Sequence, residues 1–483
     1  MIERVEIIKG PASSAWGSSL GGVVNIITKS PGSKEKISGT LSASYGEQVT
    51  MDLRAEIYGK KDKFGYYLTA GRLSTDGLRA EEDGWQNNLY AKLSYDLSSN
   101  TSFLFTLGYD KKNRERSDTS ALDWLDNDKF ERFYSTLSLN SSLSRELDLN
   151  ISLRAMRQRL DYFDLTVSTG EVFSTSTDEN LYGSSAKLIW RHAAHNIVFG
   201  ADYDDGEVKT DFYTSDLRRW AVFANDTIAI GKFAVTPGIR YDDTNIHDGF
   251  WSPSLGLTYD LADKTLLRVC VSRGFNSPAI SNTVSDWGAF IHNPDLKVEQ
   301  VWAYQAGIET GILKYVWLKM TGFRHDIKDG ITWENIDDFF WRYVNIDKIR
   351  RQGIEFQIKT MPVFNTILSA GATFIEAENR NSGEEIKEVP KNTYDISIRY
   401  DDKKSFAALL RGHYIWYNAD GTYNPKDKSF IFDLNMVKKL HKNNDNALEA
   451  FLTAHNIFNG SQYSNMYYKN ASRWFEAGIR LQF

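Results

Sequence analysis

Residues able to do covalent chemistry are sparse in this chain. There is no Gly-x-Ser-x-Gly elbow, no phosphate-binding glycine loop and no His-Glu-x-x-His helix. The single cysteine, Cys270, stands in the strand-like run Leu266 to Ser272, where a structural thiol is expected rather than a nucleophile. One cysteine also excludes an internal disulfide framework and any multi-cysteine zinc site. His192 and His195 share a short turn, but two histidines with no carboxylate beside them are weak metal ligands. The chain therefore reads as a non-enzyme with no resident cofactor. Binding chemistry is better represented. Three aromatic-rich segments carry Trp124, Trp287, and Trp333 with Trp341-Arg342-Tyr343. Aromatic rings beside Arg or Asp suit a flat conjugated or macrocyclic ligand, through stacking and cation–π contacts. Packing on one another or on lipopolysaccharide is the alternative for each ring.

The elements that position these residues follow from periodicity. Leu89, Ala91, Leu93, Tyr95 and Leu97 alternate with mostly polar residues, as do Leu147, Leu149, Ile151, Leu153 and Ala155. Strict alternation is the mark of a strand with two unlike faces, and it recurs to Phe475, Ala477, Ile479, Leu481 and Phe483. Only 9 prolines in 483 residues, against 27 Phe, 25 Tyr and 13 Trp, fit long uninterrupted strands and exclude a disordered chain. A net charge of −6 gives no footprint for nucleic acid. No run approaches the roughly 18 apolar residues of a membrane helix. From Ile37 to Phe483 about 22 strands can be marked. Short turns such as Ser144-Arg145-Glu146 and Ala262-Asp263-Lys264 alternate with longer segments such as Asp110 to Arg132, Gln158 to Leu181, Asp204 to Arg218 and Asp326 to Arg350. A propeller repeat is absent, and sandwich loops do not alternate in this way. The expected fold is all-β: a 22-stranded antiparallel transmembrane β-barrel over residues 37–483.

Residues 1–36 read differently. Ile2-Glu3-Arg4-Val5-Glu6-Ile7-Ile8-Lys9-Gly10-Pro11 and Gly21-Gly22-Val23-Val24-Asn25-Ile26-Ile27-Thr28-Lys29 frame a Ser/Ala/Gly-rich segment. In order and spacing this run resembles the end of the plug domain in TonB-dependent outer-membrane receptors. Ser272-Arg273-Gly274-Phe275-Asn276-Ser277-Pro278 with Asn293-Pro294-Asp295-Leu296-Lys297-Val298-Glu299 resembles the mid-barrel box of that family. Gln352-Gly353-Ile354-Glu355 and Ala454-His455-Asn456-Ile457-Phe458-Asn459 resemble its later strands, so the likeness spans essentially the whole chain.

The resemblance implies a plug end over 1–36, a Gram-negative outer-membrane location, and lipid, lipopolysaccharide and the barrel-assembly machinery as partners. Phe475, Ile479, Leu481 and the terminal Phe483 would form the assembly signal. The signal peptide, TonB-contacting segment and front of the plug that family members carry are not in the sequence, which therefore reads as a fragment, a truncated gene or a mis-called start. Arg4, Glu6 and Lys9 are expected to pair with the enclosing barrel, the alternative being solvated charges worth about 0–1 kcal/mol each. The implied function is TonB-dependent import of a scarce metal complex: a ferric siderophore first, with cobalamin or haem as alternatives and a passive porin-like barrel as the reading from another class. His292, just before Asn293-Pro294, occupies the place of a haem-binding histidine, though the box reads Phe-Asn-Ser-Pro rather than Phe-Arg-Ala-Pro. Asp202 with Asp204-Asp205, and Asp242-Asp243, offer Ca²⁺ ligands by the same resemblance, but without ordered spacing, so they are expected to be solvated loop acids.

Overall fold

The computed structural model describes residues 1–10, 13–32, 35–78, 82–116, 124–166, 168–286, 290–337, 339–418, 429–443, 446–462 and 470–483. From Ser38 to Gln482 the chain forms one closed barrel of 22 long antiparallel strands, with the two-residue strands Phe250–Trp251 and Phe290–Ile291 inserted at one end. Closure comes from the last strand, Trp474–Gln482, pairing with the first, Ser38–Gly46, in a register running from Gln482↔Thr40 to Glu476↔Gly46. Every edge is thereby consumed, which is the condition for placing a sheet in lipid. Among the described residues no helix is long and apolar enough to cross a membrane.

Alternation sorts the side chains as the periodicity requires. Leu89, Leu137, Leu153, Val222 and Ile354 stand exposed on the outer face, where lipid replaces water. Between them, polar side chains point inward and bond one another, as in Ser138 to Ser152 and Asn150 to Asn140. The mean hydropathy of −0.44 averages these two faces.

The long segments of the sequence are largely strand. Glu171–His192 has 22 residues, Leu147–Thr166 has 20 and Trp124–Ser142 has 19. A crossing needs only about 9–11, so these hairpins continue their ladders well beyond the bilayer. Asp204 to Arg218 and Asp326 to Arg350, marked as loops by their polarity, are likewise mostly paired strand. Once no lipid faces the outer side, polar residues occupy both faces and the apolar alternation that marks a strand fades.

Inside the barrel, Ile2–Lys9 and Gly22–Thr28 form an antiparallel hairpin, and Ser13–Trp16 makes one helical turn between them. Some aromatic rings pack within the barrel rather than facing lipid. Tyr67 is fully buried on the inner wall, donating to Glu56 Oε2 at 2.6 Å, and Trp474 stacks on His455 at 3.9 Å between ring centres.

Candidate functional site

The N-terminal hairpin and the helical turn within it meet the barrel wall at several places, three of them through charged groups or a close backbone approach. Lys9 Nζ lies 2.7 Å from Glu355 Oε2, and the Lys9 carbonyl accepts a hydrogen bond from Gln305 Nε2 at 3.1 Å. Lys29 Nζ sits 2.6 Å from Glu56 Oε1. The Thr28 carbonyl and hydroxyl accept from Lys92 Nζ at 3.3 and 3.1 Å, and the Thr28 hydroxyl also lies 3.2 Å from Tyr90 Oη. Among the described residues Arg4 and Glu6 have no partner on the barrel. Two residues apart on one strand, they share a face and pair with each other at 2.8 Å, while Asn25 of the facing strand donates to Glu6 at 3.0 Å. The hydrogen bonds from Arg4 and Asn25 hold the Glu6 carboxyl below its ordinary value.

The third contact is the most enclosed. Gly17 has φ +77°, and a Cβ there would lie 3.3 Å from Arg240 Nη2 and 3.4 Å from Asp242 Oδ1. Glycine supplies both the left-handed backbone and the close approach. Beneath it, Arg240 Nε donates to Asp242 at 2.9 Å and Nη1 donates to Asp202 at 2.8 Å, with the guanidinium 5.2 Å from the centre of the Phe223 ring. Arg240 and Asp242 are 4% and 1% exposed. Next to them, Asp204 accepts from Arg154 and from Arg219 Nη2 at 2.5 Å. Three arginines and three aspartates thus satisfy one another against the wall.

This wall network revises the reading of the acidic groups. Asp202, Asp204 and Asp242 are strand residues facing inward, not solvated loop acids. Their sequence neighbours point the other way: Asp205 accepts from Tyr203 Oη at 3.2 Å and Asp243 from Trp220 Nε1 at 3.0 Å. Alternation therefore splits each acidic pair between two faces. Among the described residues no group of three or more His, Cys, Asp or Glu side chains converges as a metal site.

The aromatic residues assemble at the far end of the ladder that carries Glu355, above the N-terminal hairpin. Strands Val316–Asn335 and Trp341–Thr360 keep one register from Val316↔Thr360 to Asn335↔Trp341. Glu355 faces inward to meet Lys9, so the other odd residues of its strand, including Trp341 and Tyr343, share that face. Trp333 lies directly opposite Tyr343 and stacks on Trp341 at 5.5 Å. Arg342 falls on the other face, with its Nε 2.9 Å from Glu334 Oε1.

The segment following the mid-barrel box folds onto this hairpin. Phe290–Ile291 pairs in parallel with Trp341 and Arg342, and the Phe290 ring meets Trp341 edge-on at 5.6 Å and Tyr343 face-on at 5.8 Å. Asn293 Nδ2 donates to the Tyr343 carbonyl at 2.8 Å. Asn345 fastens the far end, accepting from Lys297 N at 2.9 Å and donating to Lys297 O at 3.1 Å. His292 sits in this segment, its Nδ1 at 2.7 Å and its backbone N at 2.8 Å from Asp286 Oδ1. Those two bonds from His292 hold the Asp286 carboxyl below the usual carboxylate range. Trp287 lies outside the described residues; Trp124 begins the strand Trp124–Ser142, and its side chain likewise lies outside them.

Phe475, Ile479 and Leu481 are exposed on the outer face of the closing strand, and the Phe483 backbone bonds Gly39 in both directions, at 2.9 and 3.1 Å. The sequence placed Arg154 on the lumen side and Phe290 in the aromatic segment around Trp287, but pointed neither to their partners nor to Arg219 and Arg240. For Arg154, Arg219 and Arg240 a usable signal existed: each stands on the inward parity of its strand.

A closed 22-strand barrel with a hairpin seated in its lumen is the architecture of an outer-membrane barrel. A family model described as TonB dependent receptor-like, beta-barrel matches residues 38–469, and the chain belongs to that family, whose members sit in the Gram-negative outer membrane. It is 23% identical over 452 residues to the iron-regulated outer membrane virulence protein of Vibrio cholerae serotype O1, covering 83% of this chain and 66% of that protein. It is 24% identical over 371 residues to the vitamin B12 transporter BtuB of Vibrio vulnificus, covering 72% of this chain and 58% of the transporter. A solved structure of the ferric enterobactin receptor from Pseudomonas aeruginosa superposes with a TM-score of 0.82 at 16% identity, covering 100% of this chain and 85% of that one. The chain thus spans about two thirds or less of the length of these two curated relatives.

Proposed function

We propose that this chain supplies the barrel and plug end of a receptor that imports a metal complex, with a ferric siderophore as the first ligand class. One observation carries the reading: Phe290, Trp333, Trp341 and Tyr343 gather on one face above the plug end, with Trp333 57% and Trp341 38% exposed. Rings arranged in this way stack on flat or conjugated groups and leave a ligand positioned over the lumen. Uptake would then be powered by TonB acting on the plug. Relatives named for iron and for vitamin B12 support the metal-complex class. Haem is a second reading with its own observation, because Asp286 holds His292 by Nδ1 and leaves Nε2 as the outer nitrogen.

The test is a tryptophan-quenching titration of the full chain in detergent with a ferric catecholate, a ferric hydroxamate, cobalamin and haem. Saturable quenching by an iron chelate that weakens in Trp341→Ala is the expected result. Failure of all four ligands to bind would overturn the reading.

A further inference from the structure

On the rim of short turns, strands Glu171–His192 and His195–Thr210 are joined by Ala193 and Ala194 alone. The ladder closes on the pair His192↔His195. Directly opposed residues leave the sheet on the same face with Cβ atoms about 4.5–5.5 Å apart. Each ring is held from outside the hairpin. His192 Nδ1 lies 3.0 Å from Glu146 Oε2, and His195 Nδ1 lies 2.6 Å from Asp226 Oδ2. Glu146 precedes the strand on one side of the hairpin and Asp226 belongs to the strand on the other.

An ionised carboxylate only accepts, so each Nδ1 carries a proton, and it is the neutral imidazole, with its lone pair on Nε2, that a metal ion takes. The two nitrogens sit on opposite edges of an imidazole ring. With both Nδ1 atoms held by carboxylates of the flanking strands, Nε2 is the nitrogen each ring has left for a ligand. The side chains are 58% and 46% exposed, and among the described residues neither Nε2 has a hydrogen-bond partner. Trp190 stacks on His192 at 5.8 Å and 22°, restricting the plane of that ring.

We propose that His192 and His195 chelate one divalent transition-metal ion through Nε2, with Glu146 and Asp226 as the outer partners that orient the rings. In sequence the pair has no carboxylate beside it; folding brings one to each ring from 46 and 31 residues away. A carboxylate on the far nitrogen is the usual support of a metal-binding histidine, fixing its tautomer and raising its basicity. With two protein ligands, water completes the coordination. Imidazole pairs favour Cu²⁺ over Zn²⁺ in the ordinary affinity order. This site lies on the short-turn rim, apart from the aromatic face and from the transported complex.

The experiment is Cu²⁺ titration of the untagged full chain in detergent, read by calorimetry and by electron paramagnetic resonance. One equivalent bound with two imidazole nitrogens is expected. His195→Ala should lose that signal, and His441→Ala should keep it. Glu146→Gln and Asp226→Asn, which leave both rings in place, should each weaken binding about ten- to a hundredfold. A two-nitrogen signal of unchanged affinity in His195→Ala overturns the site. Affinities within twofold of the parent in both carboxylate variants overturn the role of the outer partners.

Discussion

Arg240 is enclosed between Asp202, Asp242, the Phe223 ring and the Gly17 backbone, so its substitution tests a buried charge rather than a surface one. Arg240→Ala leaves two carboxylates facing each other without their cation, and the expected loss is about 3–5 kcal/mol. The check is the urea midpoint of the detergent-folded barrel. Gly17→Val acts differently: it forces a β-branched residue into φ +77° and pushes against the same guanidinium. Its effect should be confined to the N-terminal hairpin, seen as faster amide exchange over Ile2–Lys9 and Gly22–Thr28 with the barrel unchanged. Above the lumen, Trp341→Ala should weaken ligand binding about 5- to 150-fold, the range for one aromatic contact of about 1–3 kcal/mol. Arg342→Ala should change it by less than about twofold, because Arg342 faces away and its bond to Glu334 is an exposed one.

Elements differ in how firmly they are held. Lys9 is 56% and Glu355 19% exposed, so that ion pair is screened by the water of the lumen. It contributes about 0–1 kcal/mol and should fade with salt, unlike the wall network. Reversing Lys9 to Glu should open the hairpin to protease, and adding Glu355→Lys should close it again. The turn between Asn392–Asp401 and Phe406–Trp416 makes a pH prediction. Asp402 Oδ1 accepts from the backbone amides of Phe406, Lys404 and Ser405 at 2.9, 2.7 and 2.7 Å. These amides, that of Phe406 first, lower its carboxyl to about 2. A lowered carboxylate stabilises the turn fully above its unfolded value near 4, and that contribution is lost as pH falls from about 4 to about 2. Amide protection at Lys404, Ser405 and Phe406 should drop through that window.

For the molecule as a whole, closure is the condition of stability in a membrane. The final strand carries the last ladder to Ser38–Gly46, so deleting residues 474–483 leaves two unpaired edges. Such a chain should fail to give the folded, faster-migrating form in unheated detergent electrophoresis, whereas replacing the exposed Ile479 with Val should keep it.

How much of this the sequence carried depends on how local the cause was. Alternation is imposed residue by residue by lipid on one face and water on the other, so Leu89 to Leu97 already declared a two-faced strand and the even strand count followed. The same rule ran out where the hairpins leave the bilayer, since polar residues on both faces make Asp326 to Arg350 look like one loop although most of it is paired strand. Acidic pairs such as Asp204-Asp205 look like single clusters in sequence and are divided between two faces in the fold. Residue types and spacing by themselves determined the barrel, and the likeness of its motifs pointed to the family. Tertiary structure alone decided which charges meet, that Phe290 joins Trp341 and Tyr343, and that Glu146 and Asp226 reach His192 and His195. Those contacts join strands far apart in the chain, and their distances are fixed only when the barrel closes and every register is set at once.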